Sequence, residues 1–414
     1  MGRFLLWGLG LSGRAAVKLL QEKGYEVYAG DDARGDDFRE YLEVVDTIVL
    51  SPGVPPSHPL WKEGEKRGIE VIGELELAWR FFKGKALAIT GTDGKSTTTR
   101  LTYLILREVF ANVQEGGNTG KPFSEIVLEN PSCLAVLEVS SFQGKTLKTF
   151  RPVGGAFLNF APDHLDWHPD LEDYLRSKQN IFARQEKEDF LLLNGENPFV
   201  ANTQSRARRF FIGEGKEGYL RDGKAYFLGE EVFSVERLRL KGKHNYLNAL
   251  FASAIARLMG VEREVVQEVL YNFKGLPYRM EYVGKIRGIE VYNDSKATTP
   301  HALGSALESF PDGRVLLIAG GKDKGLDFES VKKTVLKKTR VVILIGEAKE
   351  KIAKAWSGAN ITFAKSLEEA VGLAFELGKE GDYLLFSPGC ASFDMFRDYK
   401  ERGERFNYIL STIA

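Results

Sequence analysis

The chain has 414 residues, more than one compact domain usually contains, so two or three domains are expected. Its 57 basic residues balance 57 acidic ones, and no basic tail or stripe indicates a nucleic-acid partner. No apolar run is long enough to span a membrane, and the glycine-interrupted start favours a buried strand over a signal peptide. The two cysteines, Cys133 and Cys390, lack the spacing of a metal site. A cytoplasmic globular protein that binds neither nucleic acid nor membrane is expected.

The first predicted domain covers residues 1–83. It begins with the strand "RFLLWG" and the helix "LSGRAAVKLLQEKG", followed by the strands "YEVYAGDD", "TIVLSPGVP" and "IEVIGE" and the helix "LELAWRFF". Strands that alternate with helices predict a parallel sheet covered on its faces.

Two further α/β domains are predicted, at residues 84–275 and 276–414. The second opens with its own strand, loop and helix, "KALAITGTDGKS", and contains the helix "DLEDYLRSKQNIFARQ", for which Asp170 is the predicted N-cap. The third contains the apolar strands of "RVLLIAGGKDKG", "VVILIGEA" and "DYLLFSPGC", each followed by a glycine-containing loop. The sequence therefore predicts three α/β domains.

The stretch "GLGLSG" places Gly8, Gly10 and Gly13 between the first strand and the first helix. Asp31 and Asp32 follow at the end of the next strand, as in the dinucleotide-binding fingerprint. The pattern leaves three interpretations open: a nicotinamide cofactor, another nucleotide or phosphate, and tight packing without a ligand.

The stretch "GTDGKST", residues 91–97, predicts a phosphate-binding loop. It follows the apolar strand "ALAIT" and opens a helix, so backbone N–H groups and the helix N-terminus face the same point. Lys95 is expected to contact the outer phosphates of a nucleotide, and Ser96 to offer its hydroxyl to Mg²⁺.

Two further polar stretches follow predicted strands of the same domain. Glu138 ends the apolar strand of "LEVSSFQ", and His164 and Asp166 lie in "APDHLDWH". An ordinary salt bridge or a structural histidine would explain each residue alone. Because the carboxyl ends of parallel strands meet at one sheet edge, Lys95, Glu138 and His164 are expected to lie together, which favours a metal site.

Together these stretches resemble the Mur ligases of peptidoglycan synthesis. The stretches that carry the resemblance, in chain order, are "GTDGKST", "GGNTG", "LEVSSFQ", "DHLDWH", "KGKHNYLNAL", "GLPYR", "NDSKAT" and "SPGCASFDMF". They extend over nearly the whole chain, and "NDSKAT" and "SPGCASFD" favour the member that adds D-glutamate. Asp93 departs from the family pattern, where Asn is common, and is expected to face away from the phosphates or towards a cation.

The resemblance implies a three-domain α/β fold and an activity. The N-terminal Rossmann-like domain is expected to bind the UDP substrate, the central P-loop-type domain ATP and Mg²⁺, and the C-terminal Rossmann-like domain the amino acid. The implied reaction joins D-glutamate to UDP-N-acetylmuramoyl-L-alanine through an acyl phosphate, with two Mg²⁺ ions and no redox cofactor. A monomer is expected.

The resemblance also implies site residues. The residues expected around the uridine nucleotide are Leu11, Ser12, Asp32, Arg34, Gly53 and Asn118. The residues expected to contact ATP are Gly91, Thr92, Asp93, Gly94, Lys95, Ser96, Thr97, Asn245, Asn248, Arg279 and Asp294. The residues expected to bind D-glutamate are Thr298, Lys324, Ser392 and Phe393.

Lys178 matches the family position at which a carbamate forms on lysine. A carbamate supplies oxygen ligands, whereas an ammonium would repel a metal ion. The catalytic set implied by the resemblance is Lys95, Glu138, His164 and Lys178, and the metal set is Ser96, Glu138, His164 and Lys178. A plain surface lysine is the alternative for Lys178.

Three alternative functions remain open from the sequence. Another Mur ligase or a folylpolyglutamate synthetase would use a different amino acid or acceptor. A dehydrogenase would bind a nicotinamide cofactor at "GLGLSG" without requiring ATP. A non-enzymatic nucleotide switch would bind ATP whether or not an acceptor is present.

Overall fold

The computed structural model describes residues 2–165 and 167–413. Asp166 therefore lies outside the described residues. The chain divides into two compact units, one formed by Met1–Glu236 with Leu247–Leu270 and the other by Arg237–Tyr246 with Tyr271–Ala414. Within the described residues, no helix is both long and apolar enough to cross a membrane.

The first sheet lies in the first unit and has four parallel strands in the order β2-β1-β3-β4. Its strands are β1 (Arg3–Trp7), β2 (Glu26–Gly30), β3 (Thr47–Leu50) and β4 (Glu70–Gly73). Its helices are α1 (Leu11–Glu22), α2 (Pro59–Arg67) and α3 (Glu74–Phe81). Buried apolar side chains form two small cores, as expected for a parallel sheet with covered faces.

The second sheet, in the same unit, has nine strands in the order β13-β12-β11-β10-β9-β8-β5-β7-β6. Pairing is parallel from β10 to β6, whereas β11, β12 and β13 form an antiparallel meander. The strands are β5 (Lys85–Thr90), β6 (Val113–Gly117), β7 (Leu134–Glu138), β8 (Gly154–Phe157), β9 (Phe190–Asn194), β10 (Arg208–Ile212), β11 (Gly218–Arg221), β12 (Lys224–Phe227) and β13 (Glu230–Ser234).

The helices that accompany this sheet begin with the one after the phosphate loop. They are α4 (Lys95–Arg107), α5 (Phe123–Glu129), α6 (Ser141–Lys145), α7 (Leu171–Gln179), α8 (Pro198–Ala201), α9 (Lys243–Leu258) and α10 (Arg263–Asn272). Asp170 caps α7 as predicted, because its side chain accepts a hydrogen bond from the backbone N–H of Asp173. The register pairs Ile89 of β5 with Glu138 of β7, which brings the phosphate loop and this carboxylate to one sheet edge.

The third sheet forms the core of the second unit, with six strands in the order β14-β15-β19-β16-β17-β18. All its pairs are parallel except the hairpin of β14 and β15. The strands are β14 (Glu281–Ile286), β15 (Ile289–Asn293), β16 (Val315–Gly320), β17 (Thr339–Ile345), β18 (Ile361–Phe363) and β19 (Tyr383–Phe386). The helices are α11 (Pro300–Leu307), α12 (Lys332–Lys338), α13 (Lys349–Ala355), α14 (Leu367–Leu377) and α15 (Tyr399–Ile413).

Helix α2 was not predicted, although its sequence carries terminal signals. The His58 ring accepts a hydrogen bond from the N–H of Leu60, Pro59 occupies the first turn, and Gly68 ends the helix at a φ of 68°. Proline at the start and a left-handed glycine at the end are typical of helix termini. The charged stretch between them obscures the apolar periodicity, because only Leu60 and Gly64 are buried.

Glu76 of α3 is buried and fixes this helix to the chain that follows α6. Its carboxylate accepts hydrogen bonds from the backbone N–H groups of Lys148, Thr149 and Phe150 and from the Thr149 hydroxyl. Burial alone would raise the pKa of Glu76, but these hydrogen bonds outweigh it and the pKa is lowered. The folded state is therefore stabilised by the ionised form.

Replacing Glu76 by Gln is expected to lower the free energy of unfolding by about 1–3 kcal/mol at pH 7. The amide NH₂ would face N–H donors, which leaves buried groups without acceptors. Because the folded-state pKa is lowered, the wild-type advantage is complete above the usual value of 4.5 and is lost as the pH falls through the lowered pKa. Urea unfolding at pH 7 and pH 3.5 measures both effects.

The control for this prediction is Glu22→Gln, which changes an exposed residue paired with Lys18 one helical turn away. An exposed pair of this kind contributes less than about 1 kcal/mol, so little change is expected. If Glu76→Gln lowers the free energy of unfolding equally at both pH values, the stabilisation by Glu76 does not come from its ionised carboxylate.

Candidate active site

The glycine turn after β1 forms one wall of a cavity of about 470 Å³ in the first unit. Gly8 adopts a φ of 91°, and a Cβ on Gly13 would lie 1.9 Å from the Gly8 carbonyl oxygen, so the helix can approach the strand only with glycine at residue 13. Five of the six residues predicted for the uridine nucleotide line this cavity: Leu11, Ser12, Asp32, Gly53 and Asn118. Arg34, the sixth, is not among the lining residues, and its guanidinium pairs with Asp36 at 3.4 Å.

Asp31 shapes the glycine turn from within. Its carboxylate accepts hydrogen bonds from the N–H groups of Leu9 at 2.6 Å and Ala33 at 2.9 Å. These two bonds, that from Leu9 first, lower the pKa of Asp31. The neighbouring Asp32 accepts a hydrogen bond from the Trp7 indole at 3.3 Å, and its carboxylate lies 3.1 Å from the His58 ring.

The phosphate loop between β5 and α4 is preformed. The backbone N–H of Asp93 donates to the Asn159 side chain at 2.8 Å, and Asn159 donates back to the Asp93 carbonyl at 3.1 Å. The Asp93 side chain is exposed. Gly94 has a φ of 80°, and a Cβ there would lie 2.3 Å from the Asn248 side-chain oxygen, so the two predicted ATP residues are in close contact.

Lys95 and Lys178 contact the same carbonyl oxygen at the start of this loop. Lys95 Nζ donates to Gly91 O at 3.0 Å and to Thr92 O at 2.7 Å. Lys178 Nζ, on α7, donates to Gly91 O at 2.8 Å. Lys178 is only 1% exposed, so it is not a surface lysine. Burial and, second, the charge of Lys95 hold its pKa well below its usual range.

Glu138, at the end of β7, offers a buried carboxylate to the same region. One oxygen accepts hydrogen bonds from the side chains of Asn118 and Thr119, both at 2.9 Å. The other oxygen is buried and has no hydrogen-bond partner among the described residues. Asn118 thus connects the cavity of the first sheet to the carboxylate beside the phosphate loop, a contact that the sequence did not predict.

His164 lies in the loop that follows β8, against two aromatic rings. Its ring is 43% exposed, lies 4.9 Å from the Phe142 ring and 5.9 Å from the Tyr174 ring, and contacts Asp163 at 3.4 Å. The residue has a φ of 54°, which is uncommon outside glycine. Ser96 and Thr97 lie in the first turn of α4, next to Lys95.

Whether this site suits Mg²⁺ can be judged from its donors. Over residues 2–165 and 167–413, no three His, Cys, Asp or Glu side chains are close enough to hold a metal alone. Mg²⁺, however, is usually held by one or two carboxylates together with water and substrate phosphates. The unpaired oxygen of Glu138 is such a donor, whereas Lys178 as an amine is a hydrogen-bond donor to Gly91 and suits a metal only after modification.

The remaining predicted ATP residues lie in the second unit. Asp294 follows β15 and accepts hydrogen bonds from the Met280 N–H at 3.1 Å and the Ser387 hydroxyl at 2.8 Å. Burial raises its pKa to about 7, against the opposing effects of these bonds and of the Arg279 charge. Asn245 donates to the Lys241 carbonyl at 2.7 Å.

The predicted D-glutamate residues also belong to the second unit. Lys324 Nζ lies 5.0 Å from the centre of the Phe393 ring, so these two residues are in contact. Ser392 is buried, and the helix that follows it begins only at Tyr399, so Ser392 is not its N-cap. Thr298 is half-buried, two residues before α11.

Arg402 of α15 was not identified from the sequence. Its guanidinium is buried and donates to the Cys390 carbonyl at 3.0 Å, the Ser295 carbonyl at 2.7 Å and the Ser295 hydroxyl at 3.1 Å. It thereby joins the loops that carry Thr298 and Ser392. Burial lowers the pKa of Arg402 to about 10. An arginine in an amphipathic helix gives no sequence signal for this role, because its partners are distant in the chain.

Comparison with known proteins identifies the family. The chain matches the Mur ligase middle domain over residues 89–256 and the Mur ligase, glutamate ligase domain over residues 278–390. It is 57% identical over 410 residues to the UDP-N-acetylmuramoylalanine--D-glutamate ligase of Aquifex aeolicus (strain VF5), covering 99% of this chain and 98% of that protein. It is 48% identical to the protein of the same name from Hydrogenobaculum sp. (strain Y04AAS1), covering 98% of each.

Solved structures share the fold at low sequence identity. The UDP-N-acetylmuramate-alanine ligase MurC from Thermotoga maritima has a TM-score of 0.62 at 17% identity and covers 100% of both chains. The MurF ligase from Thermotoga maritima in complex with ADP has a TM-score of 0.61 at 18% identity and covers 91% of this chain and 92% of its own. The resemblance seen in the sequence is therefore confirmed, and the chain belongs to the Mur ligase family.

Proposed function

We propose that the protein is an ATP-dependent ligase that adds D-glutamate to UDP-N-acetylmuramoyl-L-alanine in cytoplasmic peptidoglycan precursor synthesis, acting as a monomer. Two relatives of that name, at 57% and 48% identity over nearly the whole chain, support the substrate pair. The observation in the structure that carries the proposal is the phosphate loop, where two lysines donate to the Gly91 carbonyl and the buried Glu138 ends the neighbouring strand.

The reaction needs a phosphate loop because a free carboxylate is a poor acylating agent at neutral pH. The γ-phosphoryl group of ATP is transferred to the carboxylate of the substrate's L-alanine, which forms an acyl phosphate and ADP. The unprotonated amine of D-glutamate then attacks the acyl carbon, and a tetrahedral intermediate forms. Phosphate leaves as the amide bond is made, so one ATP is consumed for each bond.

Lys95 stabilises the charge on the transferred group. Its ammonium already lies among the loop carbonyls of Gly91 and Thr92, at 3.0 and 2.7 Å, so a phosphate oxygen can take their place as hydrogen-bond acceptor. A donor placed before the reaction stabilises developing charge without reorganising its surroundings. The backbone N–H groups at the start of α4 also stabilise negative charge on the phosphate.

Mg²⁺, when bound, neutralises phosphate charge and orients the transferred group. The residues proposed to hold two ions are Ser96, Glu138, His164 and carbamylated Lys178. Glu138 contributes the unpaired buried oxygen described above. Its other oxygen is held by Asn118 and Thr119, so this carboxylate is oriented before any ion arrives.

Lys178 is proposed to carry a carbamate. The neutral amine attacks CO₂, an N–C bond forms, and one proton is released to solvent. Only the neutral amine is nucleophilic, and burial beside Lys95 lowers the pKa of Lys178, which favours that form. The carbamate is negatively charged, so it replaces a Lys178 ammonium that would be repelled by Lys95.

The domains divide the substrates among them in this proposal. Residues 1–83, together with Asn118, bind the uridine nucleotide in the 470 Å³ cavity, residues 84–275 bind ATP and Mg²⁺, and residues 276–414 bind the amino acid. In the last domain, the Lys324 ammonium and the Thr298 and Ser392 hydroxyls face the two carboxylates of D-glutamate. The contact between Lys324 and the Phe393 ring supports this grouping.

Phosphate release from ATP tests the proposal directly. Release is expected only when UDP-N-acetylmuramoyl-L-alanine and D-glutamate are both present. A panel of other amino acids and a folate acceptor should give no release above background. Equal release with another amino acid would contradict the choice of D-glutamate, and tight nicotinamide binding without ATP dependence would contradict the ligase itself.

Lys95→Ala is expected to abolish ATP turnover while leaving the affinity for the UDP substrate nearly unchanged. Removing one donor at a site of developing charge costs about 3–4 kcal/mol in transition-state stabilisation. Phosphate release measures turnover, and calorimetric titration with the UDP substrate measures binding. A large loss of that affinity would show that the two nucleotides are assigned to the wrong sites.

Lys178 is expected to show a carbamate carbon in ¹³C NMR after equilibration with ¹³C-bicarbonate. The signal should be absent from Lys178→Ala and present in Lys187→Ala, which removes an exposed lysine beyond the end of α7. Full ligase activity in Lys178→Ala would contradict the proposal, as would identical spectra for all three proteins.

Lys324→Ala is expected to raise the apparent KM for D-glutamate at least about tenfold, because a charge-assisted hydrogen bond contributes roughly 1.5–3 kcal/mol. The KM for ATP should change little. Lys322→Ala is the matched control, since Lys322 is an exposed lysine two residues away. If both KM values rise together in Lys324→Ala, the residue acts on folding and not on D-glutamate.

A further inference from the structure

His168 is a buried histidine that the reaction described above does not use. Its ring is fully buried, and both ring nitrogens have partners. Nδ1 lies 2.7 Å from a carboxylate oxygen of Asp173, and Nε2 lies 2.9 Å from the Ser141 hydroxyl oxygen. The second oxygen of Asp173 accepts a hydrogen bond from Lys145. These four residues form one connected cluster, which we call the His168 cluster.

The cluster joins helix α6, which follows Glu138 in the chain, to helix α7, which carries Lys178. Ser141 and Lys145 are the first and last residues of α6, which begins three residues after Glu138. Asp173 lies in the first turn of α7, five residues before Lys178. Five residues of helix span about 7.5 Å, so the anchor lies close to the lysine along the same helix.

The two helices also touch at a point that only glycine permits. A Cβ on Gly144 would lie 2.2 Å from the Ser177 carbonyl oxygen, one residue before Lys178. At the far end of α7, the Asn180 side chain donates to the carbonyls of Gly144 at 2.7 Å and Leu147 at 3.0 Å. Helix α7 is therefore held against α6 at both ends, and the position of Lys178 depends on both anchors.

A Ser-His-Asp arrangement also suggests a nucleophilic triad, but the burial of this cluster argues against one. Ser141 and His168 are each 1% exposed, so no substrate can reach the hydroxyl. The ring is enclosed by Phe142, Trp167 and Tyr174, at centre-to-centre distances of 5.7, 4.6 and 5.2 Å. A rigid, fully bonded cluster in such surroundings fixes geometry.

We infer that His168 is a positioning residue for the ligase reaction. Through Asp173 it fixes α7 so that Lys178 Nζ lies at the Gly91 carbonyl, and through Ser141 it fixes α6 directly behind Glu138. The inference rests on the proposed function for its kinetic consequence, but the fixing of α7 is a property of the fold and can be tested separately.

The first measurement is hydrogen exchange in His168→Gln. Gln can replace one of the two ring contacts but cannot reach both partners at once. Exchange of the backbone amides in residues 171–179 is expected to be at least tenfold faster than in the wild type. Gln185→Leu is the matched control, because Gln185 is equally buried and bonds to Pro152 and Phe190 in the same unit. It should leave exchange in residues 171–179 unchanged.

The second measurement is the kinetics of phosphate release. His168→Gln is expected to lower kcat about ten- to a hundredfold with the KM for the UDP substrate within twofold, because a displacement of about 1 Å at a catalytic group can cost a hundredfold. Ser141→Ala leaves the contact between His168 and Asp173 in place, so its kcat should fall by a smaller factor than that of His168→Gln. Adding His168→Gln to Lys178→Ala should lower the residual kcat by a smaller factor than His168→Gln lowers that of the wild type, because the part of the effect that acts through Lys178 is already lost.

The outcomes separate the two proposals. If the wild type releases no phosphate with D-glutamate, the proposed function is wrong, and faster exchange in His168→Gln still supports the fixing of α7. If the wild type is active but His168→Gln keeps both its kcat and its exchange rates, the inference is overturned. A kcat that falls only in proportion to the folded fraction, as in Gln185→Leu, overturns it as well.

Discussion

The carbonyl oxygen of Gly91 is the point on which the rest of the candidate site depends. It accepts hydrogen bonds from Lys95 at 3.0 Å and from Lys178 at 2.8 Å, so two amino groups meet at one neutral acceptor. Two full positive charges that share one hydrogen-bond acceptor in a buried environment would repel each other strongly. Burial and, second, the charge of Lys95 lower the pKa of Lys178, so the buried lysine loses its proton more easily than a solvated one and the repulsion is reduced.

The two lysines differ in their surroundings, and only Lys178 is fully buried. Lys95 opens α4, where the helix N-terminus and the loop face a nucleotide, and its carbonyl partners can be exchanged for phosphate. Lys178 comes from a helix on the other side of the loop and is covered by Tyr174, whose ring centre is 4.8 Å from Nζ. A neutral amine in that position is a nucleophile towards CO₂, whereas an ammonium is not. The carbamate proposal rests on the family resemblance, and the burial and lowered pKa of Lys178 are consistent with it.

The sequence predicted the parts of this arrangement that depend on local pattern. Alternating strands and helices indicated an α/β fold, and the end of β7 placed Glu138 beside the loop after β5, as the register of Ile89 and Glu138 confirms. The antiparallel hairpin of β14 and β15 was not predicted, because β14 is only partly buried and lacks a continuous apolar run. His164 was expected among the same strand ends, but it lies in a loop beyond β8, where sheet geometry no longer fixes a side chain.

The contacts that hold the site in place could not be predicted from the sequence pattern. Glu76 reaches backbone groups more than seventy residues away, Arg402 reaches Ser295 across 107 residues, and Ser141 meets His168 across 27. A sequence motif can identify the reacting groups, because these groups lie close together in a loop whose shape requires particular residues. The groups that orient them need only be buried and complementary, and many sequences can satisfy that condition. The function of such a chain is therefore recognised from its loops, whereas the precision of its site rests on buried polar contacts between distant segments.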